Sequence, residues 1–302
     1  MIYNNQSSVM HPRVSIGMPV YNGEKYIEEA LKSNLQQTYE DFVLYIADNA
    51  STDRTQEICQ DYSSMDKRII YIRNPQNLGA AKNYSICFAP AQSEYFRWAN
   101  ADDTAESTLI EKCITFLDDN PDYILTYVKT NIIDNDSNFL EKYNDNLNLQ
   151  QDTALDRFKY FHHNVGLNNI FYGLMRRELL AKTSLLGNYI ASDINLIGEL
   201  SLYGKFNEIP EYLFNRRIHA DASSWDRSDD EKQKEFWDPS KAKMGFNTYR
   251  RLYEYYKAVL RSPLDIKEKS RLVLFLTRSI YWKKAKLYNE LKNHVINSRQ
   301  NK

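Results

Sequence analysis

Polar side chains able to bind a ligand occur as adjacent pairs at three places in the first third of the chain. The pairs are Tyr21-Asn22, Asp48-Asn49 and Asp102-Asp103, and a short apolar run precedes each one. Carboxylates are the ligands that hard divalent cations prefer, and carboxylate and amide oxygens accept hydrogen bonds from a ligand. The same residue types also occur in turns for purely structural reasons. The pairs are therefore candidates for one binding site only if the fold brings them together.

The elements between these pairs alternate regularly. Short apolar runs predict strands over residues 13–20, 42–47, 69–72, 95–99 and 123–128. The segments between these strands have apolar residues at helical spacing and are predicted to be helices. This alternation is typical of a parallel sheet with helices on both faces. Because ligands bind at the carboxyl ends of such strands, the three polar pairs are expected to meet at one edge of the sheet.

The second half is less regular. We predict a loop over 136–151, a helix over 155–161, a strand over 169–176 and an extended segment over 206–218. Asp193 is expected to be the N-cap of a helix over 194–202. A dense charge run at 226–235 indicates a solvated segment, and two amphipathic helices are predicted over 241–260 and 266–294. The chain thus divides into an α/β domain, residues 1–222, and a helical C-terminal extension, residues 223–302.

Composition narrows the functional classes. The 302 residues carry a formal net charge of -1, so the chain has no overall positive charge that would favour binding of nucleic acid. Cys59, Cys87 and Cys113 lie far apart in apolar patterns, which predicts buried free thiols in a reducing compartment. Residues 1–11 lack the apolar core of a signal peptide, and the apolar run 272–280 is too short to span a membrane. We therefore expect a soluble, cytoplasmic protein.

Four segments in order resemble the glycosyltransferases of family 2. They read VSIGMPVYN at 14–22, QTYEDFVLYIADNASTDRT at 37–55, NPQNLGAAKNYSICFA at 74–89 and EYFRWANADD at 94–103. Weaker similarity continues to about residue 225. The resemblance implies a GT-A fold, a Rossmann-like α/β domain with a mostly parallel central sheet flanked by helices. Residues 12–104 would form its nucleotide-binding half and residues 105–222 its acceptor half.

The resemblance also implies residues for the nucleotide of a nucleoside-diphosphate sugar. The residues at matching positions are Pro19, Tyr21, Asp48, Asn49, Lys82 and Asn100. Tyr21 would stack on a uracil or thymine ring, and Lys82 would pair with an acid or the diphosphate. Many family members have two consecutive aspartates where this chain has Asp48-Asn49, so which residue reads the base stays open. Asn100 replaces the first aspartate of the metal motif and is expected to bond the ribose instead.

The metal and catalytic residues follow from the same resemblance. Asp102 and Asp103 match the metal-binding positions, with Asp102 preferred, and His219 is the expected third ligand for Mn²⁺ or Mg²⁺. Arg216 and Arg217 would neutralise phosphate, although only one of them can face the site if the segment is a strand. Asp193 matches the catalytic base of an inverting transfer, which deprotonates the acceptor hydroxyl.

The expected activity is inverting transfer from a UDP- or dTDP-sugar to a glycan or lipid-linked glycan in bacterial surface-glycan assembly. The alternative is a catalytically inactive homologue that binds a nucleotide or a partner, suggested by Asn49 and Asn100. The basic, apolar C-terminal helices could contact a membrane, the α/β domain or a second copy. Of these, packing is the expectation, and homodimerisation stays open.

Overall fold

The computed structural model describes residues 12–219, 236–237 and 246–300, with side chains as far as Lys292 in the last helix. The strands are β1 (Val14–Val20), β2 (Phe42–Asp48), β3 (Ile69–Arg73), β4 (Tyr95–Trp98), β5 (Thr104–Ala105), β6 (Tyr123–Ile133), β7 (Phe139–Tyr143), β8 (Leu174–Arg176) and β9 (Lys205–Arg217). The helices are α1 (Ile27–Leu35), α2 (Thr55–Met65), α3 (Ala80–Phe88), α4 (Leu109–Asp119), α5 (Ala154–Asn164), α6 (Arg177–Leu180), α7 (Ser192–Leu200), α8 (Asn247–Arg261), α9 (Ile266–Trp282) and α10 (Lys284–Gln300).

One sheet of nine strands organises the described α/β part. Its order is β3-β2-β1-β4-β8-β6-β9-β5, and β7 pairs with β6. Strand β1 pairs in parallel with both β2 and β4, and β6 pairs in parallel with β9. The short strands β5 and β8 pair with their neighbours in the antiparallel direction. In this register Val20 lies opposite Asp48, and Asp48 lies opposite Arg73. The predicted mostly parallel α/β sheet is confirmed, and β1, β2 and β3 end at the same level.

Helices cover both faces of the sheet, as the alternation predicts. On one face α1, α2 and α4 pack on Ile16, Leu44 and their neighbours, and on the other α3, α5 and α7 pack on Tyr45 and Trp98. Because successive side chains of a strand point to opposite faces, each strand contributes to both cores. The three cysteines are buried free thiols, as predicted.

Several elements of the second half differ from the prediction. The loop predicted over 136–151 contains β7, which pairs with β6. The strand predicted over 169–176 is a 3₁₀ turn at Asn169–Tyr172 followed by the three-residue β8. The single helix predicted over 266–294 is two helices, α9 and α10, separated at Lys283. Each error concerns a short element or a break that long-range packing determines rather than local periodicity.

The expectation that Asp193 is an N-cap is wrong. Helix α7 begins at Ser192, its N-cap is Ala191 in the left-handed conformation with φ 64°, and no side chain caps it. Asp193 lies within the first turn, where its carboxylate is free to bond elsewhere. A negative charge there is favoured by the helix dipole, which explains the residue type without a capping bond.

The C-terminal helices pack on the α/β part. Phe158 of α5 and Leu202 form a third core with Tyr255 of α8 and with Leu272 and Leu276 of α9. The predicted charge run at 226–235 and the start of the helix predicted from residue 241 lie outside the described residues. Among those that are described, no helix is long and apolar enough to cross a bilayer.

Helix α8 lies against α7. Arg261 donates two hydrogen bonds to the Glu199 carboxylate, at 2.8 and 3.0 Å, and Arg251 bonds the Asn195 side chain. Gly198 permits this approach: a Cβ there would lie 2.8 Å from a ring carbon of Tyr255 and 3.0 Å from one of Phe161. The helix that carries Asp193 is therefore held by the extension.

We predict that Gly198→Ala lowers the free energy of unfolding by about 1–3 kcal/mol, because the rings of Tyr255 and Phe161 leave no room for the methyl group. At an exposed helical site the same change would stabilise by roughly 1 kcal/mol, so the sign itself is diagnostic. Urea titration measures the effect. The matched control is Gly198→Ala in a Tyr255→Leu background, where the penalty should shrink; an equal penalty in both backgrounds contradicts the contact.

Candidate functional site

The first part of the site lies at the ends of β1, β2 and β3, where Asp48 is fully buried. One of its carboxylate oxygens accepts the Ser51 backbone N–H at 2.8 Å. The other accepts the Tyr71 hydroxyl at 2.6 Å and the Arg73 guanidinium at 2.5 Å. Asp48 thus joins β2 to the end of β3, and Arg73 brings a cation to the place where the nucleotide base is expected.

Asn49 has a different set of partners. Its amide nitrogen donates to the Asn77 Oδ1 at 2.7 Å, and its Oδ1 accepts the Leu78 backbone N–H at 2.9 Å. Gly79, with φ 81°, closes this turn before α3. Asn49 therefore holds the 77–79 turn in place by donating one hydrogen bond and accepting another. An ionised aspartate could accept but could not donate.

The remaining residues predicted for the base are more open. Tyr21 is 49% exposed, and Pro19 is partly exposed at the end of β1. Lys82 is exposed on α3, and within the described part of the chain no hydrogen bond or ion pair to it is found. A stacking face and a cation are therefore available beside the two buried residues Asp48 and Asn49.

The second part of the site follows β4. Asn100 donates to an Asp103 oxygen at 2.9 Å and to the Tyr172 hydroxyl at 2.7 Å, and it accepts the Tyr84 hydroxyl at 2.9 Å. The other Asp103 oxygen accepts the Arg217 backbone N–H at 2.8 Å. Burial raises the pKa of Asp103, and the neighbouring Asp102 carboxylate raises it further. Asp103 is 4% exposed and acts as a buried anchor in this arrangement.

Asp102 and His219 meet beside this anchor. Nε2 of His219 lies 2.9 Å from an Asp102 carboxylate oxygen, and the Asp102 side chain keeps 29% exposure. Nδ1 of His219 is buried without a hydrogen-bond partner, and the ring lies 4.9 Å from that of Tyr26. A carboxylate beside an imidazole is a chemically suitable donor pair for a divalent cation that also takes oxygens from a substrate.

Within the described residues, no group of three or more His, Cys, Asp or Glu side chains is placed to hold a metal ion. Asp102 and His219 fit as a two-donor site. Asp103 fits less well, because both of its oxygens already accept hydrogen bonds from Asn100 and Arg217. The side chains present therefore suit a cation held largely by ligand phosphates and water.

The two arginines at the end of β9 point to opposite sides, as strand geometry requires. Arg216 is buried and donates to the Leu167 carbonyl at 3.0 Å and to the Asn169 side chain at 2.5 Å. Arg217 points to α1, where it bonds Glu29 at 2.6 Å and lies 4.6 Å from the Tyr26 ring centroid. The charge of Arg216 interacts with the Asp103 and Asp102 carboxylates, whereas that of Arg217 is paired with Glu29.

Asp193 joins the site through a segment that sequence reasoning missed. Its carboxylate accepts the Asn168 amide at 2.9 Å, and Asn168 is 2% exposed with φ 64°. Asn169 bonds Arg216, and Tyr172 bonds Asn100. Residues 168–172 thus connect the candidate base to the candidate metal site. The sequence signal available was Asn168-Asn169, since asparagine tolerates a left-handed turn.

Tyr84 is a buried hydroxyl close to the acidic residues that follow β4. It donates to Asn100 at 2.9 Å, and Asn100 in turn donates to Asp103 at 2.9 Å. Burial raises the pKa of this hydroxyl well above the usual range, and the neighbouring Tyr172 and the negative charges of Asp102, Asp193 and Asp103 raise it further. Asn100 therefore links two buried groups, Tyr84 and Asp103, in this part of the site.

Known sequences resemble this chain mainly in the part that contains β1 to β8. A profile described as Glycosyl transferase family 2 matches residues 15–183. An uncharacterized glycosyltransferase of Haemophilus influenzae is 30% identical over 225 residues, 70% of this chain and 68% of its own length. The putative teichuronic acid biosynthesis glycosyltransferase TuaG of Bacillus subtilis is 34% identical over 106 residues, 35% of this chain and 42% of its own. The chain spans less than half of TuaG.

Solved structures give the fold. A crystal structure of Staphylococcus aureus TarS in complex with UDP-GlcNAc superposes with a TM-score of 0.67 at 16% identity, covering 93% of this chain and 80% of that one. The mannosyltransferase PcManGT of Pyrobaculum calidifontis, in complex with GDP-Man and Mn²⁺, gives 0.53 at 13% identity, covering 97% and 89%. At these identities the similarity establishes the GT-A fold and nothing finer, and the fold expectation is confirmed.

Asp145 is a buried acid that holds Asn169, and it makes stability depend on pH. Asp145 is 4% exposed, and one of its oxygens accepts the Asn169 backbone N–H at 3.1 Å. Burial raises its pKa to about 6. A folded pKa above the unfolded value means that the associated stability is present at low pH and lost as pH rises through about 6.

We therefore expect Asp145→Asn to be more stabilising at pH 8 than near pH 5, by about 1.4 kcal/mol, because only part of the cost of ionising Asp145 is already present at pH 5. Urea titrations of wild type and variant at both pH values measure the difference. Asp119→Asn, at an exposed position on α4, is the matched control and should give the same small change at both. A pH-independent effect of Asp145→Asn contradicts the assignment.

Proposed function

Because this chain belongs to glycosyltransferase family 2, we propose that it transfers one sugar from a UDP- or dTDP-sugar to an acceptor hydroxyl, with inversion at the anomeric carbon. The observation that supports this most is the set of hydrogen bonds that links Asp193 through Asn168 and Asn169 to Arg216, together with the Asp102–His219 pair. It supports a diphosphate-binding centre and a carboxylate base at one end of the sheet. TarS was solved with UDP-GlcNAc, which is consistent with a uridine donor.

In this proposal the base of the nucleotide lies over the ends of β1 and β2. Tyr21, exposed and adjacent, stacks on the ring, with Pro19 beside it. Asp48 and Asn49 lie beside the base edge, and Arg73 holds the buried Asp48 carboxylate in place. Asn49 shapes the turn that presents the neighbouring cation Lys82. Asn100 lies between this half and the metal centre and positions Asp103 and Tyr172 beside the ribose.

Asp102 and His219 would hold the Mn²⁺ or Mg²⁺ ion, which when bound neutralises the charge that develops on the diphosphate leaving group. Asp103 fixes the loop by accepting hydrogen bonds from Asn100 and from the Arg217 backbone. Arg216, buried on the same side, adds a fixed positive charge. These groups are preorganised by hydrogen bonds in the folded chain, so little reorganisation accompanies transfer.

Asp193 would take the proton of the attacking hydroxyl. Its bond from Asn168 orients the carboxylate, so that Asn168 is a positioning residue. The acceptor is a glycan or a lipid-linked glycan of the bacterial surface, an assignment that the name of TuaG supports. Transfer then moves the sugar to the acceptor oxygen and the bonding electrons to the diphosphate.

The metal assignment is tested by Asp102→Ala. Transfer should fall below detection and nucleotide binding should lose its response to Mn²⁺, because the remaining imidazole is a poor site alone. Isothermal titration with UDP, with and without Mn²⁺, measures binding. Asp119→Ala, an exposed aspartate on α4, controls for loss of charge and should behave as wild type. Full activity in chelator-treated wild type would show that no metal is needed.

The base assignment is tested by Asp193→Asn. We expect transfer to fall by about 10²–10⁴-fold with unchanged donor affinity, because an amide cannot take a proton. Asn168→Gly, which keeps the left-handed backbone, should lower kcat by roughly tenfold without raising the donor KM and should alter the acid limb of the pH profile. Product NMR should show inversion.

Retention of the anomeric configuration would exclude the single displacement. A variant of Asp193 with normal kcat and weakened donor binding would assign that residue to the nucleotide instead. If wild-type protein binds donors but turns over none of a panel of UDP- and dTDP-sugars, with either water or sugars as acceptor, the inactive-homologue alternative is favoured.

A further inference from the structure

One side of α9 is buried and the opposite side is open. Leu272, Phe275 and Leu276 are buried. Leu274, Tyr281 and Trp282, on the other side of the helix, are 52%, 67% and 62% exposed. Packing therefore buries only part of the apolar side chains of this helix and leaves a second apolar surface uncovered within the described part of the chain.

Cations are interleaved with that open surface. We call it the α9 face and define it by residues that lie together at helical spacing and are all exposed: Lys267, Arg271, Leu274, Arg278, Tyr281 and Trp282. Exposed Lys284, Lys286 and Lys292 follow on α10. The face combines aromatic side chains, one aliphatic side chain and cations, and it contains no carboxylate.

The acids nearby point elsewhere. From Ile266 to Lys292 the carboxylates are Glu268 and Glu290, and both are partly buried. Glu290 accepts hydrogen bonds from the Thr248 backbone N–H at 3.0 Å, which turns it toward α8. The charge presented outward by α9 and the described part of α10 is therefore positive, with no neutralising partner on the α9 face.

The aromatic residues at the end of α9 are held in position. The Trp282 ring centroid lies 6.3 Å from that of Phe275, which belongs to the buried core. The Lys284 ammonium lies 4.4 Å from the centroid of the exposed Tyr281 ring. These contacts place two large exposed rings beside a cation at the α9–α10 corner.

We propose that the α9 face docks on the surface of an anionic phospholipid bilayer, with Tyr281 and Trp282 in the interfacial layer and the cations against lipid phosphates. Tyrosine and tryptophan prefer this layer, and basic amphipathic helices lie in its plane. A second copy of the chain is a poorer occupant, because a two-fold contact would bring the cations of one α9 face close to those of the other. The inference does not depend on the proposed transferase mechanism, since vesicle binding requires no turnover.

Vesicle flotation of the full chain tests the proposal. Wild type should float with vesicles of equimolar phosphatidylcholine and phosphatidylglycerol at low salt, stay in the bottom fraction with phosphatidylcholine alone, and be released at high salt. Arg271→Glu/Arg278→Glu and Tyr281→Ser/Trp282→Ser should each lower the partition coefficient roughly tenfold or more. Circular dichroism and UDP binding should be unchanged in both variants, which separates this result from failure of the proposed function.

Matched controls alter the same number of exposed residues elsewhere. Lys67→Glu/Lys182→Glu reverses two exposed charges, and Phe139→Ser/Leu140→Ser removes two exposed apolar side chains from β7. Both controls should float as wild type. The proposal is overturned if wild type stays in the bottom fraction with anionic vesicles at low salt, or if the α9-face variants float equally well. A dimer in wild type that these variants dissociate, without flotation, would assign the face to self-association.

Trp282 provides a readout within the intact chain. On addition of anionic vesicles the tryptophan emission of wild type should shift to the blue and be quenched by brominated lipid, and Trp282→Phe should abolish both changes. Persistence of the full shift in Trp282→Phe would place the contact at another tryptophan and reject the α9 face.

Discussion

The arrangement of the site depends on burying one guanidinium. The Arg217 side chain has no exposed surface, and a buried charge is tolerated only when it is paired and hydrogen bonded. It donates to the carbonyl of Asp102 at 2.9 Å, to that of Asp134 at 2.9 Å and to the Glu29 carboxylate at 2.6 Å. These bonds join the loop after β4, the end of β6 and α1. Since His219 follows Arg217 by two residues, the same bonds set where its imidazole meets Asp102.

Asn49 and Asn100 stand at positions where the family resemblance leads us to expect acids, and each amide has a local physical reason. Asn49 donates to the Asn77 side-chain oxygen, and a carboxylate in its place would face that oxygen without a proton. Asn100 donates to Asp103, where a second carboxylate would repel the first. Both substitutions fit the hydrogen-bond networks around them. They are therefore poor grounds for regarding the site as degenerate.

The sequence predicted the half of the fold in which structure is local. Strands β1 to β4 are apolar runs bounded by turns, and their order alone brings Asp48 and Asp102 to one edge. The antiparallel strands β5 and β8 have two and three residues, too few to produce a pattern. Asn168 was missed for a related reason: its importance comes from a bond to Asp193, 25 residues away, and from a left-handed backbone that composition does not reveal. The two consecutive arginines of β9 point to opposite sides of the strand, as strand geometry predicts.

The close approach of Gly198 to Tyr255 bears on how the chain can be divided. A gene shortened to end at residue 222 would encode α7 without the tyrosine that covers Gly198 and without Arg261, the counter-ion of the otherwise buried Glu199. The helix that carries Asp193 would then expose one side to water, and the Glu199 carboxylate near its other end would lack its counter-ion. Recombination that exchanged the C-terminal helices between relatives would succeed only when both sides of this contact were inherited together.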